Sequence, residues 1–226
     1  MLQAVLDAVG FGLCHQIPER SLSGGGVRVP VCARDAGIYL GFVVALTVLA
    51  LLYRDRPTYA APTWVNIVLA LGVAAMAIDG FTSYAGLRTT TNEIRFLTGH
   101  LTGFAIAAWL VPMLNAELWR TSGSGRVLGK PMEFGAYLVA LVASYAALWY
   151  LGPLLGVLFP ITATLAIIVT FVVVNLVIVS LMPPFERRVD RLRDAWLMLL
   201  IALGLTAVEL AMSAWLKVWA LGIALP

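Results

Sequence analysis

The chain has 226 residues, 61% of them hydrophobic and 12% charged, with a formal net charge of +3 and a mean hydropathy of +0.93. Soluble domains lie near about 45 to 50% apolar and 25% charged, so this composition excludes a soluble globular protein and points to a lipid bilayer as the chain's surroundings. The small positive charge calls for no nucleic-acid partner, because loop arginines and lysines serve to orient a membrane protein.

A membrane span takes about 20 mostly apolar residues. The chain therefore accommodates six spans and no soluble domain, and the expected fold is all-α, a polytopic transmembrane bundle forming a single membrane domain over 1–226. Residues 1–13 interleave Gln3 and Asp7 with apolar residues and are too short to cross; they read as an interfacial or re-entrant helix. They lack the basic start and small-residue cleavage pattern of a signal peptide, so the first true span is expected to direct insertion. Pro18 bends the chain, and Ser23-Gly24-Gly25-Gly26 makes a compliant loop. Residues 1–35 thus read as an outer cap.

Spans one to three, within 36–114, are expected at 36–53, 62–78 and 96–114. Phe81 to Arg95 is polar for this protein and reads as a loop feeding a helix that starts near Asn92. Spans four to six, within 134–220, are expected at 134–151, 161–181 and 195–220, the last two separated by Pro183-Pro184 and a charged turn. Nine of the fifteen basic residues fall in the loops after spans one, three and five. The positive-inside rule then puts the cap outside the cell membrane. The other six are Arg20, Arg28, Arg34, Arg88, Arg95 and Lys217, and five of them cluster with the polar motifs.

Gly37, Gly41 and Ala45 recur every fourth residue in span one, as do Gly99, Gly103 and Ala107 in span three. Residues four apart share a helix face, and such small-residue faces let membrane helices approach closely. If the two seams meet, Cys32, Arg34, Asp35 and Tyr39 converge with Asn92, Arg95, Thr98 and His100, and Asp79 at the end of span two joins them. Glu209, in the last span, is expected to face the bundle with a partner, level with the same region, since a carboxylate in hydrocarbon costs about 2.5 to 3.5 kcal/mol.

Four stretches carry a family resemblance: Cys14-His15-Gln16-x-Pro18-Glu19-Arg20-Ser21; Pro30-x-Cys32-Ala33-Arg34-x-x-Gly37-Ile38-Tyr39-x-Gly41-Phe42; Asp79-Gly80; and Thr91-Asn92-x-x-Arg95-x-x-Thr98-Gly99. On these, residues 14–103 resemble a prokaryotic family of small predicted membrane proteins classed as a domain of unknown function. The resemblance implies a helical protein of a bacterial or archaeal membrane whose motifs belong together, and it implies no activity. Many members of that family have a cysteine where this chain has Asp35.

The candidate catalytic residues are His15, Glu19, Arg20, Arg34, Asp35, Tyr39, Asp79, Asn92 and Arg95. The candidate metal ligands are Cys14, His15, Cys32 and Asp35, residue types that suit zinc or a related divalent transition metal. Three other readings of the polar residues stand beside the metal one. A Cys14–Cys32 disulfide would tie the cap to span one; a redox thiol would be favoured by the neighbouring bases; and the arginines would hold a phosphate or carboxylate through forked hydrogen bonds. Three functions follow: a membrane enzyme acting on a lipid-linked or amphipathic anionic substrate, a transporter or permease-like protein gated by the same charges, or a non-catalytic assembly factor with a disulfide-held cap.

Overall fold

A computed structural model describes residues 1–222. Helix α1 (Leu2–Gly10) is followed by a single 3-10 turn (Pro18–Arg20), strands β1 (Ser21–Gly24) and β2 (Val27–Cys32), and helix α2 (Ala33–Leu52). Strand β3 (Pro57–Tyr59), helices α3 (Thr63–Tyr84) and α4 (Asn92–Leu118), and strand β4 (Gly123–Arg126) come next. Helices α5 (Pro131–Ala146), α6 (Leu158–Ser180) and α7 (Trp196–Leu221) complete the described residues. All but α1 are long and apolar enough to cross a membrane, α5 being continued by irregular turns to Leu155 and α7 preceded by one from Leu192. The protein is a multi-pass, six-span helical membrane protein, as its composition dictates.

Helix α4 is the central post, with Phe96, Phe104, Ala105, Ala107 and Ala108 wholly removed from solvent. Its tight partner is α2. A Cβ placed on Gly99 would lie 2.0 Å from the Arg34 carbonyl oxygen, one on Gly37 2.3 Å from that of Phe96, and one on Gly103 2.3 Å from that of Ile38. The backbones therefore touch where side chains would normally hold helices about 8 to 10 Å apart. Ala45 and Ala107 continue the seam, fully buried. Thr91 starts α4, its side chain accepting the Ile94 amide at 3.3 Å, which satisfies one of the first-turn donors a helix leaves open.

The cap is more ordered than its glycines suggest. Strands β1 and β2 form an antiparallel hairpin around Gly25 and Gly26, whose φ values of 58° and 78° are those that a two-residue turn requires and glycine accepts. Gln3 accepts from the Arg28 amide at 2.8 Å and binds α1 to β2. Gln16 donates to the carbonyls of Asp7 at 2.8 Å and Pro30 at 3.0 Å. From the far end of the chain, Lys217 donates to the carbonyls of Phe11 and Cys14, each at 2.7 Å. Gly24 sits against the turn before α6, where a Cβ would meet the Gly156 oxygen at 2.4 Å.

Helix α3 runs to Tyr84, past the end expected at residue 78. Thr82 donates its hydroxyl to the Ile78 carbonyl at 2.7 Å, the bond by which a threonine inside a helix satisfies its polar group. On the face opposite the cap, β3 pairs in parallel with β4, and Asn115 of α4 donates to the Pro57 carbonyl at 3.0 Å. Glu209 does face the bundle with a partner: Asn175 of α6 donates to it at 2.8 Å and to Thr206 at 3.1 Å. That polar group lies between α6 and α7, one turn before Ser213, which donates to the Gly12 carbonyl of the cap at 2.9 Å.

Candidate functional site

The seam between α2 and α4 fixes what lies above it. Helix α2 begins at Ala33, directly after β2, so Cys32 stands at the junction of hairpin and membrane helix and Asp35 one turn along. The Cys32 thiol donates to Asp35 Oδ2 at 3.2 Å, and the Cys32 amide donates to Cys14 Sγ at 3.2 Å. Both cysteines are free thiols. The potential ligand atoms of Cys14, Cys32 and Asp35 all lie within 4.8 Å of one another. Ligands on a tetrahedral ion at bond lengths of about 2.0 to 2.3 Å are separated by roughly 3.5 Å, so small side-chain rotations close the set.

Both thiols are perturbed by this geometry. The neighbouring Cys32 side chain is the chief cause that brings the Cys14 thiol down to about 7, against the opposing effect of burial. Cys32 is pushed well above the ordinary thiol range by the hydrogen bond with Cys14, by burial and by the Asp35 charge. A bound divalent ion would deprotonate both outright.

Beside the thiols is a small pocket lined by Cys14, His15, Ile17, Arg20, Cys32, Arg34, Ser83, Tyr84 and Arg95, with about 20 Å³ of water-sized space, enough for one water. It adjoins a wider groove of about 540 Å³ that shares Arg20, Ser83 and Arg95 and adds Glu19, Arg88 and Thr90. The α3–α4 connection and the cap form its two banks. Asn92 ties them together, donating to the Glu19 carbonyl at 2.9 Å and accepting from Arg95 at 3.0 Å.

Asp79, 1% exposed, is ion-paired to both Arg34 and Arg88 and accepts from the Thr90 hydroxyl at 2.7 Å. The Arg34 guanidinium lies against Gly80, so the Asp79-Gly80 motif sits directly at this ion pair. The Arg34 Nε is buried without a hydrogen-bond partner among the described residues. Arg95, 8% exposed, has no carboxylate within ion-pair distance among the described residues.

Of the residues singled out in the sequence, Cys14, Cys32 and Asp35 form the ligand cluster, and His15, Arg20, Arg34 and Arg95 line the pocket with the two cysteines. Glu19 lines the groove. Asp79 is behind Arg34, and Asn92 is beside Arg95. His15 is exposed at the rim, outside the ligand cluster. Tyr39, one turn below Asp35, packs inward with its ring 6.2 Å from that of Phe171. His100 does not join the site, because the seam turns it the other way, toward Ser144 at 2.9 Å, with its ring between Phe96 and Phe104. Lys217 and Gln16, which hold the Cys14 segment in place, were not among the candidates. Gln16 stands within the Cys14-His15-Gln16 motif and Lys217 among the basic residues on the cap side, and those are the signals the sequence holds for them.

Residues 14–109 match a family described as "Predicted membrane protein (DUF2085)". An uncharacterized protein of Methanocaldococcus jannaschii is 36% identical over 115 residues, which cover 51% of this chain and 72% of that protein. An uncharacterized protein of Methanothermobacter thermautotrophicus is 40% identical over 95 residues, 42% of this chain and 81% of that one. No solved structure matches the chain.

Proposed function

The chain belongs to the DUF2085 family of predicted membrane proteins, and on that premise we propose that it is a metal-dependent membrane enzyme acting on a lipid-linked or amphipathic substrate with an anionic group. The observation that carries this reading is the convergence of Cys14, Cys32 and Asp35 at the wall of a pocket also lined by the buried Arg34 and Arg95. Two thiolates and a carboxylate suit zinc better than magnesium or calcium, which prefer all-oxygen sites. Three protein ligands leave a fourth position, the arrangement of catalytic rather than structural zinc. An ion there would supply a Lewis acid or a metal-bound hydroxide.

The chain's own residues take the remaining roles. Arg20, Arg34 and Arg95 bind and orient the anionic group. Asp79 holds Arg34 and Asn92 holds Arg95 in place. His15, at the rim, transfers protons, and Glu19 borders the entrance. Tyr39 backs Asp35 from within the bundle. The excess of basic residues on the opposite face supports a cell-membrane orientation with the site extracytoplasmic. Elemental analysis of the purified protein tests the reading: about one zinc-class ion per chain is expected, with loss in Cys32→Ser and in Asp35→Asn. A metal content that those variants leave unchanged contradicts it.

A further inference from the structure

We infer that the pocket and groove beside the thiols form a receptor for a phosphate group, with Arg95, Arg34 and Arg20 as its donors. This deepens the reading above by naming the anion, and it rests on that reading for the anion's place in a reaction. Binding of the anion itself does not depend on a metal.

The first ground is unbalanced buried charge. Arg95 is 8% exposed, and its one side-chain acceptor is the neutral Asn92 amide oxygen at 3.0 Å. A guanidinium carries five N–H donors, and a charge buried without a counter-ion is strongly unfavourable. The fold tolerates it best if an anion completes the site. Arg34, 9% exposed, spends its charge on Asp79 but leaves Nε buried and unpaired. Both side chains line the same pocket, together with Arg20.

The second ground is stoichiometry. Four guanidinium groups, on Arg20, Arg34, Arg88 and Arg95, border the pocket or the groove, against the carboxylates of Asp79 and Glu19. This leaves an excess of two positive charges, which the Asp35 carboxylate beside the pocket lowers to one in the metal-free protein. A phosphate monoester carries about −1.5 to −2 near neutral pH and offers three terminal oxygens, whereas a carboxylate carries one charge and two oxygens. Arginine forks are suited to bidentate phosphate recognition.

The third ground is shape. Space of about 20 Å³ at the inner pocket admits a single oxygen, while the adjoining groove of about 540 Å³ holds the rest of a headgroup. One phosphate oxygen would then reach the wall formed by Cys14 and Cys32. The phosphate could belong to a lipid or arrive free, and the same donors would take either.

The test uses the full chain in detergent after treatment with a chelator, so that loss of metal cannot be mistaken for loss of the anion. Inorganic phosphate, acetate and chloride are compared at matched ionic strength by calorimetry and by thermal melting. Phosphate is expected to bind and raise the melting temperature, acetate to do so at least tenfold more weakly, and Arg95→Gln to weaken phosphate at least tenfold. Arg126→Gln, on the opposite face, should leave it unchanged. The wild-type melting comparison stands even if Arg95→Gln fails to fold. Competition by vesicles containing phosphatidic acid, but not phosphatidylcholine alone, would assign the group to a lipid, and competition by neither would assign it to free phosphate; both support the receptor. Equal binding of acetate and phosphate, no binding of phosphate, or phosphate binding untouched in folded Arg95→Gln would overturn it.

Discussion

Arg34 on α2 is ion-paired to Asp79, forty-five residues later on α3, and the same carboxylate holds Arg88 from the connection that follows. One acid thus joins the head of α2 to the end of α3 and sets the guanidinium that faces the thiols. Asp79→Asn would strand the buried Arg34 charge and should cost about 3 to 5 kcal/mol of stability. Arg88→Gln removes a partner whose side chain is 43% exposed and should cost about 1 kcal/mol or less. Thermal or denaturant unfolding in detergent would separate the two, and equal losses would show that Asp79 does not act through Arg34.

The α2–α4 seam makes a second prediction. Gly99→Ala would push a methyl group to within 2.0 Å of the Arg34 carbonyl, and backbone cannot yield as a side-chain tip can. Overpacking of this kind costs typically about 1 to 3 kcal/mol, and more is expected here because two helices must separate. Gly204→Ala on α7 meets nothing within 4 Å and should be neutral or stabilising by up to about 1 kcal/mol. Melting temperatures of the two variants provide the comparison.

Much of this was legible in the sequence because it is periodic. The spans follow from runs of apolar residues, and the seam from Gly37, Gly41 and Ala45 facing Gly99, Gly103 and Ala107, a periodicity that by itself brings Arg34 toward Arg95. What was not legible depends on partners far apart in the chain. Val27–Cys32 has an apolar alternation too short to distinguish from a loop, and it becomes a strand by pairing with Ser21–Gly24 and packing on α1. Lys217 meets Cys14 across 203 residues, a contact no local pattern announces. His100 shares a helix with Arg95 but not its direction, since five residues along a 3.6-residue turn rotate it about 140° away.

The thiols should differ in reactivity. In metal-free protein Cys14, with its pKa brought down to about 7, gains thiolate as pH rises through that value, so its alkylation rate should climb around pH 7. Cys32, pushed well upward, should stay unlabelled across the same range. Cys32→Ala removes the side-chain donor that is the chief cause of the Cys14 shift and should move the Cys14 profile to higher pH. Peptide mass spectrometry after timed alkylation reads both sites, and equal labelling would contradict the asymmetry.

Lys217→Met keeps most of the side-chain stem but removes the two hydrogen bonds to the Phe11 and Cys14 carbonyls. Groups that orient a ligand typically matter by about 10- to 100-fold in metal affinity. A loss within that range, measured by competition with a chromophoric chelator, is expected. Its separation from a general loss of stability comes from Asn115→Ala, which removes a hydrogen bond on the opposite face, and from the melting curve of each variant.

Zinc K-edge absorption spectroscopy of the purified protein tests the central claim most directly. The proposed site predicts two sulfur neighbours at about 2.3 Å and light-atom neighbours at about 2.0 to 2.2 Å, with one sulfur lost in Cys14→Ser and one in Cys32→Ser. A first shell without sulfur, or one that neither substitution alters, would contradict a metal centre built on Cys14, Cys32 and Asp35.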